Sequence, residues 1–145
     1  MKLLPKIIVI LGPTASGKTS ISIKIALRLS SGQAKKEFGI NGAEVISADS
    51  RQVYKGMNIG TGKITKKEMA KIPHHLLDVA NPKKQFTVVQ YQKLAQRAIK
   101  KIHSHGKIPI ICGGAGFYIQ TITDNIAIPE VKPDAKLRAE LEKKS

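Results

Sequence analysis

Ile7-Ile8-Val9-Ile10-Leu11-Gly12-Pro13-Thr14-Ala15-Ser16-Gly17-Lys18-Thr19 decides the fold of this chain. Its first five residues are an unbroken, mostly β-branched apolar run. That is the pattern of a strand buried on both faces of a parallel sheet. The next eight match G-x-x-x-x-G-K-[ST] at every fixed position, with a strand before and a helix after, as a phosphate-binding P-loop requires. A chance match is on the order of one in thirty thousand per position. Glycines let the backbone fold back so that successive N–H groups point at one anion. The following helix adds the partial positive charge of its N-terminus. Lys18 sets a point charge against a terminal phosphate, and the Thr19 hydroxyl is a ligand for Mg²⁺. Gly12, Pro13, Thr14, Ala15, Ser16, Gly17, Lys18 and Thr19 are therefore the expected diphosphate- or nucleotide-binding residues, a set shared with ATP-binding proteins.

Outward from this stretch, Ile21, Ile25 and Leu29 at i, i+4, i+8 predict a helix that ends near Ser31-Gly32. Residues 33–43 are polar, contain Gly39 and Gly42, and read as a surface excursion. Glu44-Val45-Ile46-Ser47 is a second strand. Residues 48–65 are rich in glycine and polar residues without helical period, and long loops of this kind are usually functional. Residues 66–71 suit a short helix that ends before Pro73. Thr87 with Gln90 makes a capping box and Phe86 with Tyr91 a hydrophobic staple. Val88, Tyr91, Ala95, Ala98 and Ile102 then form the inner face of a helix, Lys93, Arg97 and Lys100 lie on a solvated face, and Gly106 suits C′. Ile108-Pro109-Ile110-Ile111-Cys112 is a third strand, followed by Gly113-Gly114-Ala115-Gly116. Beyond Pro129 the composition turns to charged helix formers. The order β-α-β-α-β favours a parallel sheet with right-handed crossovers.

Composition narrows the class. The 145 residues suffice for one domain with a real core. With no Trp and 4% aromatics, that core is aliphatic. The net charge of +15, from 25 Lys and Arg against 10 Asp and Glu, suits capture of a polyanion or a Lys-rich surface kept for solubility. No apolar run is long enough to span a bilayer, so no membrane is expected. Residues 1–6 lead straight into the first strand and do not resemble a cleavable signal. Cys112 is the single cysteine, which excludes an intrachain disulfide and fits a reduced, cytoplasmic setting. The adjacent His74 and His75 read as structural, because neighbours on a strand point to opposite faces.

The P-loop leaves its ligand open, since nucleotide kinases, ATPases and GTPases all use it. An acid at the end of a strand helps hold Mg²⁺ in many of them. Here the third strand ends in Cys112-Gly113, and the acid follows the second strand, as Asp49. A parallel sheet puts that position at its carboxyl edge, beside the P-loop. Asp49 there is either a ligand or general base, or a turn and cap residue.

Taken together, five blocks resemble the tRNA dimethylallyltransferase (tRNA isopentenyltransferase) family. They are the P-loop, then residues 46–57 (ISADSRQVYKGM), Ile59-Gly60-Thr61, Pro73-His74-His75-Leu76-Leu77-Asp78 and Pro109-Ile110-Ile111-Cys112-Gly113-Gly114. The second and fourth are the specific ones. The resemblance implies a P-loop NTPase-like core, a parallel sheet flanked by helices. It implies transfer of a dimethylallyl group from dimethylallyl diphosphate to N6 of the adenosine 3′-adjacent to the anticodon, with Mg²⁺ assisting and diphosphate leaving. Asp49 and Lys18 are the implied catalytic residues, and Asp49, Ser50, Arg51, Gln52 and Ala115 the implied tRNA contacts. A monomer is expected.

The chain departs from the family at several points. Ala115 stands where Thr is usual, Asn58 replaces Asp, and Gly62 and Ile64 replace Ala and Pro. Residues 33–43 are longer than the family's link. Members are longer overall, so residues 1–128 are expected to be the N-terminal part of the core and residues 129–145 the start of a helical insertion domain. Two alternatives stand beside the prenyltransferase: a small-molecule or nucleotide kinase, and an inactive truncated fragment that binds tRNA by charge.

Overall fold

The structure, a computed structural model, describes residues 6–129 and 134–144. Its strands are β1 Ile8–Leu11, β2 Ala43–Ser47, β3 His74–His75 and β4 Ile108–Gly113. Its helices are α1 Lys18–Leu29, α2 Gly32–Phe38, α3 Val88–Ser104, α4 Gly116–Thr123 and α5 Ala135–Glu142. The strands form one parallel sheet in the order β1-β4-β2-β3. The parallel α/β class is the one the sequence predicts. Cys112 is level with both Ile10 and Ser47, so β1, β4 and β2 end along a common carboxyl edge. Ligands of open α/β sheets bind outside such an edge.

Each face of the sheet carries its own core. Val45 and Ile110 pack with Ile23 and Ala26 of α1. Ile46 and Ile111, one residue on, pack with Tyr91, Ala95 and Ile102 of α3 and Ile119 of α4. The central β2 is buried at every position. The edge strand β1 is not, contrary to the expectation of burial on both faces. Leu11 is 58% exposed, because among the described residues α3 and α4 sit over β2 and β4 and not over β1.

Local signals fared unevenly. α3 has both bonds of the Thr87–Gln90 capping box and buries Tyr91, Ala95, Ala98 and Ile102, while Gly106 takes the left-handed conformation past its end. α1 keeps Ile25 and Leu29 of its predicted face packed against the core but not Ile21. It buries Ser22, Ile23 and Ala26 and leaves Ile21 exposed, since two small residues let the helix lie close to the sheet. The surface excursion is in fact α2, capped by Ser31 and stopped by the left-handed Gly39. The helix expected at 66–71 is only a turn, ended by positive φ at Ala70 and Lys71. α4 was not anticipated. α5 is capped by Asp134, and its Leu137 and Leu141 are exposed. The N-terminal lead-in up to residue 5 lies outside the described residues, as do residues 130–133 beside the expected domain boundary. Among the described residues no helix is long and apolar enough to cross a membrane.

Candidate active site

Beyond the carboxyl edge lies an open cavity of about 1120 Å³. The P-loop forms its first wall, with Pro13, Thr14, Ala15, Ser16, Gly17, Lys18 and Thr19 all lining it. Ala15 (φ 62°) and Gly17 (φ 80°) adopt the left-handed conformation, the device by which such loops converge N–H groups on an anion. Gly17 caps α1 without a side-chain bond, so no side chain competes for the first-turn N–H groups. The Lys18 ammonium folds back to the Pro13 carbonyl and to Ser16 Oγ. Gly12 does not line the cavity. It supports the turn from beneath, where a Cβ would come within 3.1 Å of Ser16 Oγ.

The second wall follows β2. Asp49 is half-buried, and its Oδ1 accepts from the amides of Arg51 (2.8 Å) and Gln52 (3.1 Å). The other oxygen takes no hydrogen bond among the described residues. Asp49 is thus a turn cap and, at the same time, a carboxylate on the cavity. Ser50, Arg51 and Gln52 line it too, and Gln52 Nε2 donates to the Gly62 carbonyl at 3.1 Å.

The third wall is Gly113-Gly114-Ala115. A Cβ on Gly113 would lie 2.0 Å from the Ala48 carbonyl oxygen, so only glycine fits. Ala48 donates to Cys112 O (2.8 Å) and accepts from Ala115 N (3.0 Å). Backbone contact therefore locks the second and third walls together. Ala115 caps α4 without a side-chain bond, which a Thr hydroxyl would supply.

Several lining residues escaped the sequence reading. Gly60, Thr61, Gly62 and Glu68 return to the cavity from the long loop. The glycines flagged that loop, but nothing in the string says where it comes back. Glu68 is lowered below its usual value by bonds from the Thr65 amide and hydroxyl. Tyr118 stacks on Tyr91 with ring centroids 4.1 Å apart. Burial first, then the neighbouring Tyr54 and Asp49, push its phenol up. Burial also pushes up the Cys112 thiol, which lines the cavity without being a ready nucleophile. In the histidine pair, His74 Nδ1 meets Ile72 O at 2.8 Å and His75 Nε2 meets Glu44 at 2.6 Å. Lys93, Arg97 and Lys100 do not line the cavity.

Thr19 and Asp49 share the cavity, and their hard oxygens suit Mg²⁺. Among the described residues no group of three or more His, Cys, Asp or Glu is gathered to hold a metal. A divalent ion there fits only with ligand oxygens to complete its shell, the usual way Mg²⁺ is held beside phosphates.

The sequence model of the IPP transferase family matches residues 52–145. The chain belongs to that family. The chain is 43% identical over 138 residues to the tRNA dimethylallyltransferase of Bacillus licheniformis, covering 95% of the chain and 40% of that protein. It is 49% identical over 126 residues to the tRNA dimethylallyltransferase of Staphylococcus aureus strain Newman, covering 87% and 37%. Among solved structures, the tRNA isopentenylpyrophosphate transferase of Bacillus halodurans superposes with a TM-score of 0.77 at 41% identity, over 96% of this chain and 42% of that one. A eukaryotic dimethylallyltransferase acting on tRNA gives 0.72 at 33% identity, over 96% and 32%. The chain spans about 40% of the length of the curated relatives it matches. The family match begins at Gln52, so the P-loop and Asp49 lie before it. They fall within the 95% of the chain aligned with the Bacillus licheniformis protein.

Proposed function

We propose that this IPP transferase chain serves tRNA prenylation. A dimethylallyl group passes from dimethylallyl diphosphate to N6 of the adenosine 3′-adjacent to the anticodon. The observation that carries this reading is the convergence of the P-loop, Asp49 and Arg51-Gln52 on one cavity. N6 forms a bond to the allylic carbon while the carbon–oxygen bond breaks, and the electron pair leaves with diphosphate. Thr14 to Thr19 hold that diphosphate, and Lys18 meets the charge that builds on it. Asp49 takes the proton from N6. Ser50, Arg51, Gln52 and Ala115 meet the tRNA, whose target base must be unstacked to enter. Thr19 would hold Mg²⁺, which would supply charge neutralisation for the leaving group when bound. The basic surface attracts tRNA phosphates. We place residues 1–128 in the core and 129–145 at the start of a second, helical unit, and expect a monomer at work in the cytoplasm.

The test is incubation of the full-length form with dimethylallyl diphosphate and unmodified tRNA, read by nucleoside mass spectrometry. N6-prenyladenosine is the expected product. ATP hydrolysis with no prenylated adenosine would favour the kinase. Salt-sensitive binding without preference for an anticodon stem-loop would favour the charge-only fragment.

A further inference from the structure

Lys63 belongs to none of the walls described above. Its side chain is nevertheless only 5% exposed, an unusual setting for an ammonium. A buried cation persists only when it is paired and hydrogen-bonded. Lys63 has both kinds of partner: Nζ donates to the Tyr54 carbonyl at 2.6 Å and to Asp78 Oδ1 at 2.5 Å. These partners come from two separate segments. Tyr54 is on the loop that carries Arg51 and Gln52. Asp78 is on the strap that leaves β3.

The same two segments are joined by backbone. Asp78 N donates to Gln52 O (3.3 Å), Ala80 N to Val53 O and Lys55 N to Ala80 O (both 2.9 Å), and Tyr54 bridges Ala80 in parallel. The strap is bent to do this, with Leu76 (φ 64°) and Asp78 (φ 55°) both left-handed. Such residues persist when the surroundings over-determine them, and they gather at functional sites. Gln52 Nε2 also holds Gly62, the residue before Lys63, so the loop closes on itself next to the ammonium. Half of Asp78 remains open to solvent, so the pair is reached from the surface while its cationic end is not.

We propose that Lys63 is a positioning residue. Through Tyr54 and Asp78 it fastens the loop to the β3 strap and so fixes the cavity wall formed by Arg51 and Gln52. It touches no reacting atom. This role rests on the proposed tRNA function, because the wall it steadies is the one assigned to the nucleic acid and not the one assigned to diphosphate.

The test compares the wild-type chain with Lys63→Met and Asp78→Asn, the second keeping shape while removing the charge. Amide exchange is followed at Asp78 and Ala80, whose N–H groups bond the loop. Binding of inorganic diphosphate and of an unmodified anticodon stem-loop is measured beside it. Both variants are expected to exchange faster at these amides and to bind the stem-loop roughly tenfold more weakly, the size of one charge-assisted hydrogen bond. Diphosphate affinity should stay within about twofold, a split that general loss of structure would not give. In the transfer assay the tRNA KM should rise and kcat should hold. Unchanged exchange overturns the proposal, as does unchanged stem-loop binding in Asp78→Asn, or equal loss of both ligands. A wild-type chain with no preference for the stem-loop over a scrambled hairpin overturns the tRNA function itself, and the positioning role with it. That result is distinct from a wild type that binds and variants that bind equally well.

Discussion

At the amino edge of the sheet, Glu44 is 6% exposed and takes Lys107 on one oxygen and His75 on the other, each at 2.6 Å. At the carboxyl edge, Lys18, Asp49 and Arg51 line a cavity, and none makes an ion pair among the described residues. Buried charge must find a partner. The amino edge supplies it from within the fold, and at the carboxyl edge the proposed diphosphate and tRNA would supply it. The same parallel strands therefore hold paired charge at one end and cavity-lining charge, to which we assign the chemistry, at the other. Substitutions at the two ends should divide accordingly.

The largest effect is expected from Asp49→Asn. The amide oxygen still accepts from Arg51 and Gln52, so the turn survives while the base is lost. Turnover should fall roughly 10²- to 10⁴-fold with stem-loop affinity little changed. Normal turnover in this variant would remove Asp49 from the mechanism. Gly113→Ala comes next. Its Cβ meets the Ala48 carbonyl, so denaturant unfolding should register a loss of about 3 kcal/mol, the upper part of the range for overpacking. Lys18→Ala should weaken diphosphate binding roughly 30-fold, as loss of a charged contact does, with the unfolding midpoint little moved.

Glu44→Gln should do the reverse, lowering stability by roughly 1–2 kcal/mol at neutral pH and leaving diphosphate affinity alone. Its pH dependence is specific. Burial tends to raise the Glu44 carboxyl, but the bonds from Lys107 and His75 and their charges outweigh it, and the group lies below its ordinary value. A carboxyl depressed by folding contributes stability that is fully present above its ordinary pKa and is lost as pH falls through the depressed value. The wild type should therefore lose stability on acidification in a step that Glu44→Gln lacks. A thermal melt followed from pH 7 to pH 3 tests this.

Legibility in the sequence followed the range of the forces involved. The P-loop was readable because each position answers a local demand of an anion on the backbone. The α3 cap was readable because Thr87 and Gln90 are three residues apart. The adjacency of Asp49 to the P-loop followed from parallel topology alone. Features set by distant partners were not readable. Ile21 has the right spacing for a core face, yet Ser22 and Ala26 face the sheet because closeness mattered more than apolar area. The run at β1 gave no sign of which strands would lie beside it. Gly113 was seen as part of a glycine cluster, but its reason is a carbonyl sixty-five positions earlier, at Ala48. Lys63 was one lysine among many until the fold enclosed it.

The clearances around the glycines have a mechanical consequence. Where Gly113 meets Ala48 there is no slack, so that side of the cavity moves as a rigid block or not at all. Around Gly56, Gly60 and Gly62 there is open space within 4 Å. Added bulk is therefore shut out where Gly113 abuts Ala48, whereas at Gly60 it would meet no neighbouring atom.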